Sequence, residues 1–276
     1  MAYKKLLTVQ DISCVGQCSL TVALPILSAA GHETAILPSA VLSTHTAGFT
    51  GFTCRDLTAD MPAITAHWKK ENIRFDAIYT GYLGSTEQIG CVKDMFSTLG
   101  RDGLVTFVDP AMADNGKLYP AFDESYAAEM CTLCAEADVI LPNITEACFL
   151  TGTEYREQYD EAYIRGLLGA LHAAGMKTVV LTGVGYSADQ TGVVVSRGET
   201  YEYYAHRRIA KGSHGTGDVY AAAFVGAYMR GKSAFESAGI AAEYTVRCIE
   251  NTQDDPEHWY GVKFEPLLPF YIEQLG

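Results

Sequence analysis

Asp138-Val-Ile-Leu-Pro142 runs straight into Asn143-Ile-Thr-Glu-Ala-Cys-Phe-Leu-Thr151, and one helical stretch later the chain returns as Thr178-Val-Val-Leu-Thr182. The outer segments are short and rich in β-branched residues, while the middle one opens after Pro142-Asn143 and carries Glu146 in its first turn. Strand, helix and strand in this order is the pattern of strands joined by crossover helices in a mostly parallel sheet. Working outward, further strands are expected near 3–10, 33–38, 75–80 and 103–109, with those above at 138–142 and 177–182. Helices are expected near 18–30, 60–72, 86–99, 123–136, 144–151 and 160–174, with Gly31, Gly100 and Gly175 in C-cap positions. Gln190 to Ala205 reads as two strands turning around Ser196-Arg197-Gly198-Glu199, which adds an antiparallel edge. Beyond it, 216–230 and 233–250 are long and Ala-rich, so paired helices should close the fold against the sheet.

The 276 residues suit one large α/β domain, and no linker or repeat divides 1–276. Hydrophobic residues at 48% against 19% charged supply a core and exclude a disordered chain. Twenty basic and 33 acidic residues give a net charge of −13, which repels a polyphosphate backbone, so nucleic acid is not an expected partner. No stretch approaches the length of a bilayer span and the N-terminus lacks a secretory pattern, which leads us to expect a cytoplasmic protein without membrane attachment. The eight cysteines form no disulfide framework, and Cys131-Thr-Leu-Cys134 lies in a helical pattern without a second pair at zinc spacing.

Parallel sheets bind ligands where loops leave the carboxyl ends of their strands. Here those loops are Asp11-Ile-Ser-Cys-Val-Gly16, Thr80-Gly-Tyr-Leu-Gly84, Asp109-Pro-Ala-Met-Ala-Asp114, Pro142-Asn-Ile-Thr-Glu146 and Thr182-Gly-Val-Gly185. Two nucleotide motifs are matched in the wrong context. Gly226-Ala-Tyr-Met-Arg-Gly231-Lys232-Ser233 fits a phosphate loop, but Gly226 falls within a helix, and Ser233 with Glu236 reads as a capping box. Gly183-Val-Gly185-Tyr-Ser-Ala188 follows a strand but leads into the β-branched Thr191-Gly-Val-Val-Val-Ser196, whereas a dinucleotide fingerprint must open a helix.

His214-Gly215-Thr216-Gly217-Asp218 stands directly before the helical run Val219-Tyr-Ala-Ala-Ala-Phe-Val225. Small residues at 215 and 217 let backbone amides crowd a ligand, and at a helix N-terminus those amides with the dipole bind an anion. Asp218 beside such an anion incurs like-charge repulsion, which makes sense if it accepts a proton from a hydroxyl attacking phosphate. An acid capping the helix would look the same, and the residues alone leave both readings open. The basic run Arg207-Arg208-Ile-Ala-Lys211 just upstream fits an anion but equally a solvated face.

Gly215-Thr-Gly-Asp218 opening a small-residue helix resembles the anion hole of the ribokinase-like superfamily of small-molecule kinases. Ser43-Thr-His-Thr46, Thr80-Gly-Tyr-Leu-Gly84, Asp109-Pro-Ala-Met-Ala-Asp114, Leu141-Pro-Asn143-Ile-Thr-Glu146 and Leu181-Thr182-Gly183 occur in the order of its pyridoxal kinase branch. Cys18-Ser-Leu-Thr-Val-Ala-Leu-Pro25 resembles the bacterial pyridoxamine kinases. The resemblance spans about 10 to 220 and implies a three-layer α/β/α fold with a mostly parallel sheet and an antiparallel edge. It implies ATP-dependent phosphorylation of the 5′-hydroxymethyl group of a B6 vitamer.

On that resemblance, Asp218 is the general base and the amides of Gly215, Thr216 and Gly217 stabilise the transferring phosphoryl group. Asp109, Asn143, Glu146, Thr182, Gly183, Lys211 and His214 would line the nucleotide site. Asp109, Asp114 and Glu146 would hold Mg²⁺, which takes hard oxygen ligands and keeps water. Asp11, Ser13, Gly16, His45, Thr46 and Tyr82 would meet the vitamin ring, with Tyr82 and Phe49 as an aromatic wall. A homodimer is also implied.

Departures from the pattern qualify these roles. Pyridoxal kinases often carry serine where Asp11 stands, which points to an acid pairing with a protonated pyridine nitrogen or an amine. Leu141 replaces a threonine that helps hold a monovalent cation in some members. Hydroxymethylpyrimidine kinases of thiamine synthesis share the fold but often read Gly-Thr-Gly-Cys, so Asp218 favours the B6 reading over that alternative. A sensor that binds vitamin or nucleotide without turnover is the remaining one.

Overall fold

The computed structural model describes residues 3–209 and 214–276. In its first half run β1 (Lys5–Ser13), α1 (Leu20–Ala29), β2 (Glu33–Leu42), β3 (Cys54–Asp56), α2 (Met61–Lys70), β4 (Phe75–Thr80), α3 (Thr86–Thr98) and β5 (Gly100–Val108). There follow a small hairpin of β6 (Ala113–Asp114) and β7 (Lys117–Leu118), then α4 (Glu124–Glu136), β8 (Val139–Ile140), α5 (Ile144–Thr151), α6 (Glu161–Ala173) and β9 (Thr178–Thr182). The antiparallel pair β10 (Gln190–Arg197) and β11 (Glu202–Arg207) precedes α7 (Thr216–Met229), α8 (Ala234–Glu250) and α9 (Leu268–Leu275). Among the described residues one sheet has the order β11-β10-β9-β8-β5-β4-β1-β2-β3. Its centre from β9 to β2 is parallel, and β3, β10 and β11 are antiparallel.

Strand side chains alternate between faces, so each strand feeds two cores. Leu7, Val9, Ile78, Val179 and Leu181 face a layer built from α2 to α6, where Ile89, Val92, Met130, Leu133, Leu167 and Leu171 pack. Leu6, Ala77, Tyr79, Phe107, Val139 and Val180 face the opposite layer of α1, α7, α8 and α9. The helix α7 is buried nearly all round, as a helix must be when it lies between the sheet and a second helix. This is the expected three-layer α/β/α arrangement with an antiparallel edge.

Gly31 (φ +85°) and Gly175 (φ +103°) sit just past the ends of α1 and α6 in the left-handed conformation, as expected of helix stops. Gly100 does not. Leu99 closes α3, and Gly100 opens β5, where a Cβ would meet the Leu104 side chain at 2.7 Å. A close approach, not a cap, requires that glycine. Four elements lay beyond the sequence reading: β3, whose three residues are all exposed and so show no alternation, the two-residue strands β6 and β7, and the terminal α9.

Both misleading nucleotide motifs are structural. Gly226 lies inside α7, where a Cβ would fall 2.3 Å from Tyr271 Oη and 2.9 Å from Ala30 Cβ. Ser233 and Glu236 form the expected capping box of α8, with the Ser233 amide donating to Glu236 at 2.8 Å and the Glu236 amide to Ser233 Oγ at 3.2 Å. Ser233→Ala should therefore destabilise the chain by about 1 kcal/mol, a fall in Tm of about 2–4 °C in a thermal melt. The stretch after Gly183 turns into β10, not a helix.

Candidate active site

The sheet places the predicted loops along one edge. Past the strand ends the ladder continues, with the amides of Gly81, Asp109, Leu141 and Thr182 donating to the carbonyls of Val9, Thr80, Val108 and Pro142. The chain leaves β1 toward β2 on one side and resumes at β4 on the other, so the order reverses between β1 and β4, where such sheets form a crevice. Into this edge α7 directs its N-terminus. Gly215 is its N-cap at φ +74°, and a Cβ there would sit 1.7 Å from the Gln17 carbonyl oxygen in the loop after β1. A glycine N-cap has no side-chain oxygen to satisfy the first-turn amides, which leaves the helix end suited to an external anion.

Asp218 follows in the first turn of α7, half-buried. Burial pushes its carboxyl up to about 8, and the negative charges of Asp109 and Asp11 add to this, while the nearby Ser19 amide works the other way. Asp109, at the end of β5, is pushed well up by burial and by Glu146; its Oδ1 accepts from the Ala111 amide at 3.2 Å. Glu146, 3% exposed, is raised to about 7 by burial although its oxygens accept from Met112 N at 3.1 Å and Asn143 N at 2.8 Å. Among the described residues none of these acids forms an ion pair with lysine or arginine. Uncompensated buried acids in a cleft mark a place built for a cation or for proton transfer.

A family model for phosphomethylpyrimidine kinase matches residues 28–262. The chain belongs to the phosphomethylpyrimidine kinase family. It is similar to a Bacteroides thetaiotaomicron protein assigned to the phosphomethylpyrimidine kinases, solved in a crystal form with pyridoxal. That match has 34% identity, covers 98% of this chain and 96% of that one, and has a TM-score of 0.91. It is also similar to a pyridoxal kinase from Lactobacillus plantarum, at 33% identity over 99% of this chain and 98% of that one, with a TM-score of 0.91. Hydroxymethylpyrimidine/phosphomethylpyrimidine kinase of Bacillus subtilis is 28% identical over 190 residues, spanning 66% of this chain and 66% of that protein's length.

In this member of the phosphomethylpyrimidine kinase family, Asp109, Asn143, Glu146, Thr182 and Gly183 of the expected nucleotide-side residues gather at the carboxyl edge of β5, β8 and β9, whereas His214 lies beside His45. Asn143 caps α5, accepting from the Glu146 amide at 2.9 Å and donating to the Ala113 carbonyl at 2.8 Å. Thr182 and Asn143 are joined by a backbone bridge, and Gly183, exposed at φ +77°, begins the next loop. Asp114 stands apart on the β6–β7 hairpin, exposed, with its carboxylate accepting from the Asn115 amide at 2.8 Å and side chain at 2.9 Å. Arg207 pairs with Glu250 on α8. Lys211 lies outside the described residues.

On the other side of the crevice, Asp11 and Ser13 are the last turns of β1, not a loop as expected, because β1 continues pairing with β2 through Ser13. Both are buried. Tyr82 is half-buried against Phe122, ring centroids 5.4 Å apart, its phenol pushed up to about 12 by burial and by the charges of Asp11 and Cys54. His45 is held at both nitrogens, Nδ1 accepting from the Ala47 amide at 3.2 Å, so Nε2 donates to the Tyr260 carbonyl at 2.6 Å. It therefore offers a ring face rather than a free nitrogen. Gly16, at φ +120°, makes room for that ring, since a Cβ would meet His45 Cδ2 at 2.2 Å. Beyond it His214 lies 5.6 Å away and Phe49 5.0 Å away between ring centroids, and the Phe49 ring packs tilted against Trp259 at 4.6 Å. Thr46 is exposed beside this aromatic group.

Two neighbours escaped the sequence reading. Tyr119 lies among Glu146, Asp109, Asp114 and Asp218, whose charges reinforce the burial that suppresses its ionisation. Ser19, before α1, donates to Asp11 and lies near enough to Asp218 to favour its charged form. A serine before a helix is an ordinary sight in a sequence, so neither carries a signal that sequence alone would single out.

Proposed function

We propose that this chain is an ATP- and Mg²⁺-dependent kinase that transfers the γ-phosphoryl group to the 5′-hydroxyl of pyridoxal, pyridoxamine or pyridoxine. The observation that carries this is the pairing of Asp218 with the glycine-capped N-terminus of α7 in one acid-lined crevice. Asp218 accepts the hydroxyl proton as that oxygen attacks γ-phosphorus and the bond to the β–γ bridging oxygen breaks. The amides of Gly215, Thr216 and Gly217 receive charge spreading over the phosphoryl oxygens. Asn143, Glu146, Thr182, Gly183, Lys211 and His214 would line the nucleotide's path, and Ser13, Gly16, His45, Thr46 and Tyr82 the vitamin ring. The residues 1–276 would act as one catalytic domain.

The acids fit magnesium: Asp109 and Glu146 are neighbouring carboxylates whose charges oppose each other and which lack a cationic partner. Among the described residues no group of three or more His, Cys, Asp or Glu is disposed to hold a metal, so the ion would rely on this pair, with Asp114 nearby, and on water and phosphate oxygens. When bound, it would neutralise phosphate charge. Among the described residues no helix is long and apolar enough to cross a membrane. A cytoplasmic homodimer is the form the family resemblance supports.

A second reading has support of its own. The family model and the Bacillus subtilis relative point to hydroxymethylpyrimidine or its phosphate as acceptor, also a hydroxymethyl group on a flat nitrogen ring. ADP release with the three B6 vitamers and with hydroxymethylpyrimidine, measured side by side, separates the two. We expect the highest kcat/KM for a B6 vitamer, with the 5′-phosphate as product. A higher value for hydroxymethylpyrimidine would assign the chain to the thiamine route, and saturable binding without ADP would make it a sensor.

A further inference from the structure

Ser19 adopts φ 54° and ψ −131°, a region where a residue bearing a Cβ is strained, by about 1–3 kcal/mol. It occupies the N-cap of α1, the position at which serine usually turns its hydroxyl onto its own helix, yet it makes no such bond. Its Oγ instead donates to Asp11 Oδ1 at 2.5 Å, and Ser13 Oγ donates to Asp11 Oδ2 at 3.0 Å. Asp11 and Ser19 are each 5% exposed. Both oxygens of the Asp11 carboxylate are thus engaged within the protein. The Ser19 amide lies beside the Asp218 carboxylate and favours its charged form, and the Ser19 carbonyl accepts from Val22 and Ala23 at 3.0 and 2.9 Å, tying it to the start of α1.

We propose that Asp11 and Ser19 form a clamp in which Asp11 holds Ser19 in its strained conformation so that the Ser19 amide fixes the orientation of Asp218. Ser19 is then a positioning residue, and Asp11 acts through it rather than on the vitamin ring. The strain has a reason on this account: the backbone is turned away from its relaxed form to direct one N–H at the carboxylate that takes the proton. The inference rests on Asp218 being the base.

The test is steady-state kinetics of Asp11→Ala, Ser19→Ala, Ser19→Gly and the Asp11→Ala/Ser19→Gly double variant with pyridoxal and pyridoxamine, each variant's folding checked by its melt. Misplacing a reacting group by about 1 Å is enough to slow turnover by up to about 100-fold. Asp11→Ala and Ser19→Ala should each lose that much kcat while KM for both vitamers stays within about threefold. Ser19→Gly should lose less than Ser19→Ala, because glycine reaches this conformation without a Cβ to strain it. For the same reason the double variant should regain much of the kcat lost by Asp11→Ala alone.

Unchanged kcat in Ser19→Ala would overturn the clamp, as would a double variant no faster than Asp11→Ala. So would a change in KM for one vitamer alone at constant kcat, which would show Asp11 meeting the ring. A wild-type chain that turns over no acceptor would overturn the kinase reading itself, and the clamp with it.

Discussion

Asp218→Ala is expected to lower kcat by about 10²–10⁴-fold, the usual contribution of a positioned base, with little change in ATP affinity measured by equilibrium binding. The base must be ionised to work. Because burial and the charges of Asp109 and Asp11 raise its carboxyl to about 8, kcat/KM should climb with pH through that region and level off above it. The same shift sets a stability effect whose sign is definite. The folded state holds the proton up to about pH 8 while the unfolded carboxyl releases it near 3.8, so between these values the unfolded state binds fewer protons and stability falls as pH rises. Asp218→Asn removes that liability. It should be inactive yet melt higher than wild type at neutral to alkaline pH, by about 2–4 °C if relief of burial and repulsion is worth ~1 kcal/mol. The advantage should vanish as pH approaches 4. Near-wild-type turnover in Asp218→Ala would remove Asp218 from the base role, and a lower melting temperature for Asp218→Asn at pH 8 would show that burial does not hold its carboxyl protonated.

Gly215→Ala should come next in effect. The residue sits at φ +74°, where an L side chain is strained by about 1–2 kcal/mol. Its Cβ would also fall 1.7 Å from the Gln17 carbonyl oxygen, which is backbone and cannot rotate away. The loop ahead of α7 must shift, and its amides then miss the phosphoryl oxygens. Losing one such donor slows related chemistry by about 10²–10³-fold, so kcat/KM for ATP should fall by at least that much, along with the melting temperature. Gly217→Ala supplies the contrast: a Cβ there meets nothing within 4 Å, so its melting temperature should stay near that of wild type. Unimpaired ATP turnover in Gly215→Ala would show that this helix end does not bind the phosphate.

The relation between chain and fold explains why these two residues were visible early. Gly215 and Asp218 belong to a contiguous motif whose chemistry depends on spacing along the chain, and the N-terminus of α7 keeps that spacing. Asp109, Asn143, Thr182 and Gly183 were legible for a related reason: each follows a strand of a parallel sheet, and parallel strands present their following loops at one edge. Asp11 and Ser13 were expected in a loop because their run lacks clean alternation, whereas pairing with β2 carries the strand through Ser13. Gly100 resembled a helix stop, but its side-chain space is taken by Leu104, four residues along the same strand.

The sequence by itself determined the alternation of strands and helices in a mostly parallel sheet, the antiparallel β10–β11 edge and the helix end that offers amides beside an acid. Each follows from short-range patterns: alternation along strands, helical period, caps and turns. Only the tertiary structure decided which acids face one another, that Glu146 sits beside Asp109 while Asp114 is turned to solvent, and that Ser19 stands between Asp11 and Asp218. Those relations join residues separated by up to most of the chain, and carboxylate ionisation depends on burial and on charges across the crevice, neither of which is a property of sequence neighbours.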